Sequence, residues 1–248
     1  SESISAATYV NGEYWVYVYQ SWWGGSLTIP VGIGVLDPET GEYEIKYSTS
    51  SMHYYNEHFI EMTYDPSTNK VYGVQYVTDL SSDGTRMMDL WVIDPAEGTY
   101  EPKRLGKVDA YMFGMAARDG VVYGITQDYT DNDLSMPEKV RLIKFDPTQS
   151  VDGIFATTHI ADIDGGNRVI RFDQTMEFDH ATGRLWWSAQ ETANNGGYVC
   201  EIDILDGSLR HENRIPDASQ YVAMAIPYQT VATEASSYVS EFSAKGDQ

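Results

Sequence analysis

Phe59-Ile-Glu-Met62-Thr-Tyr-Asp65-Pro66-Ser-Thr-Asn-Lys-Val-Tyr72-Gly73 reads as a strand, a tight turn and a second strand. The same phrase returns as Met112-Phe-Gly-Met115-Ala-Ala-Arg-Asp119-Gly120-Val-Val-Tyr123 and as Thr175-Met176-Glu-Phe-Asp179-His-Ala-Thr-Gly183-Arg-Leu-Trp186. A looser copy is Ser5-Ala-Ala7-Thr-Tyr-Val-Asn11-Gly12-Glu-Tyr-Trp15. Asn11-Gly12 and Asp119-Gly120 are hairpin turns, because both central positions need a positive φ that Asn, Asp and Gly tolerate. Asp65-Pro-Ser-Thr-Asn69 and Asp179-His-Ala-Thr-Gly183 are longer turns with the same role.

A second landmark keeps phase with the first. β-rich runs end at Asp37-Pro38, Asp94-Pro95 and Asp146-Pro147, and Val199-Cys-Glu-Ile-Asp203 supplies a fourth. The interval is about 55 residues, a period that marks stacked structural repeats. Each unit is therefore strand A, short turn, strand B, longer loop, strand C ending at Asp, turn, strand D. Four antiparallel strands repeated at this period make the blade of a β-propeller, whereas a sandwich needs no such long-range phase.

The fold class is thus all-β, a propeller with blades at residues 1–50, 51–108, 109–163 and 164–216. Tyr221-Val-Ala-Met224-Ala-Ile-Pro227 repeats the Met slot of strand A once more, which predicts an extra inner strand, the start of a partial fifth blade. The propeller domain spans 1–229, and polar residues 230–248 are expected to be a tail or a linker to a following domain.

Composition narrows the function classes. Sixteen Lys and Arg against 37 Asp and Glu give a net charge of −21, so the surface repels phosphate and nucleic acid is not an expected partner. The apolar runs are too short for a membrane-spanning helix. An aromatic content of 13% separates the chain from disordered acidic sequences. Cys200 is the single cysteine, which excludes an internal disulfide and a thiolate-cluster metal site. The chain has no Gly-x-Ser-x-Gly, Walker loop or dinucleotide fingerprint.

Over roughly residues 5–227 the Asp-Pro-x-Thr-Gly-x-x-Tyr turn grammar resembles the propeller modules of large secreted or surface-anchored bacterial proteins. Val239-Ser-Glu-Phe-Ser-Ala-Lys-Gly-Asp247 resembles the truncated lead-in strand of a fibronectin type III domain. The resemblance implies a secreted or cell-surface monomer within a longer multidomain chain.

In such a ring the B–C and D–A loops share one end, where rigid blades present variable segments to a ligand. The expected ligand-binding set is Trp22, Trp23, His53, Tyr54, Tyr55, Glu57, Tyr111, Arg168, Arg171 and Tyr221. Aromatics beside polar side chains suit a sugar, which has an apolar C–H face and a polar rim. The first reading is a non-catalytic glycan-binding module. One alternative is a glycoside hydrolase or lyase using Glu57, Asp109 and Asp173 as acid, base and orienter. The other is a protein-protein interaction scaffold whose loop aromatics are buried. No cofactor is expected apart from a weak Ca²⁺ candidate at Asp128, Asp131 and Asp133, whose oxygen donors lack EF-hand spacing. Met62, Met115, Met176 and Met224 are expected to pack between blades, and Glu61 and Glu177, flanking that slot on opposite sides, to face different directions.

Overall fold

The computed structural model describes residues 2–20, 31–48, 58–80, 86–127, 140–163, 174–191, 196–216 and 221–229. The first sheet holds β1 (Glu2–Val10), β2 (Glu13–Gln20), β3 (Gly32–Leu36) and β4 (Tyr43–Ser48) in sequence order. The second holds β5 (Phe59–Asp65), β6 (Lys70–Leu80), β7 (Arg86–Ile93) and β8 (Lys103–Val108). The third is β9 (Met112–Arg118), β10 (Val121–Gln127) and β11 (Val140–Phe145), with the short β12 (Ile154–Phe155) branching off before β13 (Thr158–Asp162). The fourth is β14 (Thr175–Asp179), β15 (Arg184–Glu191), β16 (Gly196–Ile202) and β17 (Leu209–Arg214). These four antiparallel sheets form a four-bladed β-propeller, as the repeat predicts.

The recurring Asp residues do one job. Asp37, Asp94, Asp146 and Asp203 each accept, through Oδ1, the N–H two residues on, at 2.8–3.0 Å. That local bond replaces the ladder bonds the chain loses on leaving strand C, so the residue type repeats with the turn. At the A–B turns Asn11 and Asp119 sit at φ 49° and 54°, each followed by a Gly of positive φ.

The innermost strands pack in the order β1, β5, β9, β14. The Met slot fills the seams: Met62, Met115 and Met176 are fully buried. Met176 presses so closely on Gly114 of the preceding blade that a Cβ there would meet its Cγ at 2.7 Å, so only glycine admits the methionine. One apolar cluster joins blades two, three and four, and a second joins blades one and two.

Two features depart from expectation. Residues 221–229 enter no ladder, so the predicted extra inner strand is not a strand. An inner strand needs a strand B beside it, and none of the described residues supplies one; Pro227 also lacks an N–H. The segment lies instead against blade one, with Ala223 and Ala225 on Ala7, Val16 and Val18. Its Tyr228 ring bridges the seam between blades four and one, 5.1 Å from His180 and 5.7 Å from Tyr9.

The second departure is β12. It leaves blade three to add a parallel strand to the outer edge of blade two, pairing Ile154 with Lys107 and Phe155 with Val108. That covers an otherwise open strand edge. Among the described residues no helix is long and apolar enough to cross a membrane.

Candidate functional site

Antiparallel order sends every B–C and D–A connection to one end of the ring. Gln20, Ser48, Leu80, Val108, Gln127, Asp162, Glu191 and Arg214 all end strands there, and the A–B and C–D turns occupy the other end. The turn end is stitched across blades. Tyr64 donates its hydroxyl toward Asn11 and Asn69, both at 2.9 Å, Asp65 accepts from Gly120 N at 2.6 Å, and Arg118 donates to the Gly183 carbonyl at 2.9 Å.

At the loop end, two aromatic pairs are each formed by one strand residue and one residue just before a strand. Tyr19, near the end of β2, stacks on His58, just before β5, with centroids 4.3 Å apart and planes within 6°. Tyr76 of β6 stacks on Tyr111, before β9, at 4.9 Å, and the Arg86 guanidinium lies 5.8 Å from the Tyr111 centroid. Tyr111, expected to touch ligand, is 6% exposed, and burial pushes its phenol up. Tyr221, also in the expected set, is 51% exposed.

Asp109 is anchored. Its Oδ1 accepts from Thr157 N at 2.8 Å and its own N–H donates to the Phe155 carbonyl at 3.2 Å, so the residue ties β12 to blade two. Trp22, Trp23, His53, Tyr54, Tyr55, Glu57, Arg168, Arg171, Asp173, Asp128, Asp131 and Asp133 lie outside the described residues. Among the described residues no three His, Cys, Asp or Glu side chains converge as metal ligands.

The axis holds a group that the sequence reading misjudged. Glu61 and Glu177 do not face different directions: positions on either side of one strand residue share a face, because side chains alternate with period two. Glu61 of β5 accepts from Met62 N at 3.1 Å, Met176 N at 3.0 Å and Thr175 Oγ1 at 3.4 Å. Glu177 of β14 accepts from Thr8 Oγ1 at 2.7 Å, Phe178 N at 3.0 Å and Thr63 Oγ1 at 3.2 Å. Thr8 and Thr63 in turn accept from Tyr64 N and Ala117 N of the next blades.

All four blades thus meet in one hydrogen-bonded cluster. Burial pushes the Glu61 carboxyl well above the ordinary range and Glu177 up to about 8. The signal was present in the sequence: strand-A positions one before and one after the Met slot carry Glu61, Thr63, Thr175, Glu177 and Thr8, a polar row on an otherwise apolar repeat.

No known family model matches this chain, and no curated protein matches it. Among solved structures it is similar to a glycoside hydrolase family 43 arabinoxylan arabinofuranohydrolase from Bacillus subtilis, at 13% identity and a TM-score of 0.46, over 92% of this chain and 51% of that one. A quinonprotein alcohol dehydrogenase-like protein from Bacteroides thetaiotaomicron gives 14% and 0.43, over 91% and 46%. Cobalt-substituted Synechocystis ACO gives 14% and 0.42, over 86% and 49%. The chain spans about half the length of these proteins. The fold assignment rests on the chain's own four sheets.

Proposed function

We propose that this chain is a binding module of a secreted or cell-surface protein that takes a glycan at the loop end of the propeller. The observation that carries the reading is the asymmetry of the ring. One end is closed by short turns and interblade hydrogen bonds, and at the other, where the strands flanking the long connections end, stand the aromatic pairs Tyr19 with His58 and Tyr76 with Tyr111. A rigid scaffold presenting variable segments and aromatic faces suits a ligand with stackable C–H faces.

Binding is favoured over hydrolysis by where the carboxyls are committed. Glu61 and Glu177 are sealed in the axis, and Asp109 of the expected acid trio holds a backbone N–H. Trp22, Trp23, Tyr54 and Tyr55 are the proposed stacking platform, with Glu57, Arg168 and Arg171 on the rim.

The test is a glycan-array screen of the whole chain, with and without a calcium chelator, beside the Trp22→Ala/Trp23→Ala variant. Expected is binding that the variant loses. A chelator effect abolished by Asp131→Asn assigns Ca²⁺ to the 128–133 loop. A folded chain that binds no glycan overturns the reading in favour of a protein-interaction scaffold. Sugar release lost in Glu57→Gln would instead establish the hydrolase.

A further inference from the structure

We infer that Arg86 is an anion subsite at the loop end of the ring, placed to take the carboxylate of a uronic acid within the glycan proposed for that face. The inference rests on the glycan-binding reading and adds the chemical class of the sugar. Arg86 opens β7, the third strand of blade two, and is half-buried. It lies two positions before Met88, so the two side chains share one face of the strand. Met88 is fully buried in the seam with blade three, where its sulfur accepts from Met112 N at 3.0 Å, and Tyr76 stands across the ladder from it. Arg86 therefore tops the seam between blades two and three, beside the pair of Tyr76 and Tyr111.

The seam builds a fixed shelf against the guanidinium. Tyr111 stacks on Tyr76 with centroids 4.9 Å apart and an interplanar angle of 19°, and meets Phe113 edge to face at 5.1 Å. Its carbonyl accepts from Thr126 Oγ1 of β10 at 2.7 Å, so backbone and ring are both held. The Arg86 Cζ lies 5.8 Å from the Tyr111 centroid. A guanidinium over an aromatic ring is attracted by the face of the ring, and the contact leaves its N–H donors for a second partner.

The charge pattern says what that partner is. Arg104, Arg118, Arg141, Arg184 and Arg210 each lie against an Asp or Glu, at 2.8, 3.1, 3.6, 3.9 and 2.7 Å. In a chain with 37 acidic and 16 basic side chains that is the expected state of a cation. Among the described residues no Asp or Glu pairs with Arg86, whose contact is with the Tyr111 ring. Arg214 has no acid partner among them either, but it is exposed at the end of the outermost strand of blade four. A half-buried guanidinium has given up hydration that no acid of these blades restores, and an anionic ligand would restore it.

The class of anion follows from the surroundings. A carboxylate matches the planar guanidinium fork with two parallel N–H···O bonds. Tyr76, half-buried beside Arg86, offers the sugar ring an aromatic surface for its C–H face. A net charge of −21 repels a dense polyanion, so a single carboxylate among neutral sugars suits the site better than a heavily sulfated chain or a nucleic acid.

The experiment screens the full chain against an array of uronate-bearing and neutral glycans, then titrates the strongest uronate-bearing hit and its methyl ester calorimetrically into wild type and Arg86→Gln. Wild type should bind the acid about 10- to 100-fold more tightly than the ester, and folded Arg86→Gln should bind the two alike. Arg86→Met, which keeps an apolar stem against Tyr111, takes its place if the glutamine variant fails to fold. Arg86→Lys should keep part of the preference, since an ammonium retains the charge and loses the fork. Equal binding of acid and ester by wild type, a preference that survives removal of the guanidinium charge, or hits confined to neutral glycans overturns the subsite and leaves the glycan reading standing. A folded chain that binds no glycan overturns both.

Discussion

Glu61 accepts the Met176 N–H at 3.0 Å while Glu177, the next residue along, accepts the Thr63 hydroxyl at 3.2 Å, so two opposed blades are tied by a reciprocal pair of bonds through the axis. In most of the ring, blades adhere through apolar seams that tolerate substitutions of similar volume. The axial ties are directional, and each member is buried, so single changes there should be more costly than their size suggests.

Thr8 is the first test. It donates to Glu177 and accepts from Tyr64 N at 3.0 Å, joining three blades through one hydroxyl. Thr8→Val keeps the volume but strands a buried N–H and a buried carboxyl oxygen. We expect a loss of about 2–3 kcal/mol by urea unfolding, with Thr8→Ser recovering most of it. Equal stability of the valine and serine variants would contradict this account.

Asp65 is the corresponding tie at the turn end. One oxygen holds Ser67 N at 2.9 Å and the other holds Gly120 N of the next blade at 2.6 Å. Asp65→Ala should destabilise by about 2 kcal/mol and speed amide exchange at Gly120 more than at Ile143. Exchange that rises uniformly would show global weakening in place of a local tie.

His180 should shape the acid side of the stability profile. Its ring donates from Nε2 to the Tyr64 carbonyl at 3.1 Å, and burial holds it below the usual histidine value of 6.5. The unfolded chain therefore binds the proton first as pH falls, and stability drops below about pH 6.5. His180→Gln should flatten that limb, read from denaturation midpoints between pH 5 and 7.

Gly106 admits β12. Its φ is +159°, and an added Cβ would stand 2.3 Å from the Gly153 carbonyl oxygen that accepts from Lys107 N. Gly106→Ala should expel β12 from the edge of blade two, seen as faster exchange at Lys107 and Asp109, at a cost of about 1–3 kcal/mol. Undiminished protection at Lys107 would count against this role for the glycine.

Much of this architecture was legible locally. Asp37, Asp94, Asp146 and Asp203 advertise the C–D turns because an Asx bond needs only neighbouring residues, and Asn11-Gly12 and Asp119-Gly120 advertise hairpins because φ is a property of single residues. The Met62, Met115 and Met176 slot was legible too, since a repeated unit buries the same position in each copy. The loop-end ligand residues stand as a sequence-based proposal, with Tyr111 and Tyr221 the two members of that set whose surroundings are described.

Strand order, blade boundaries and the turn chemistry were therefore determined by the sequence itself, because each depends on contacts within about 55 residues and recurs four times. The axial pair, the β12 excursion and the fate of residues 221–229 were decided only in three dimensions. Glu61 and Glu177 lie 116 positions apart, and the bond from Met176 N to Glu61 spans 115. No local pattern specifies such a meeting. It exists because closing the ring brings strand A of opposed blades to one axis, where Glu61 and Glu177 each take hydrogen bonds from the other's blade.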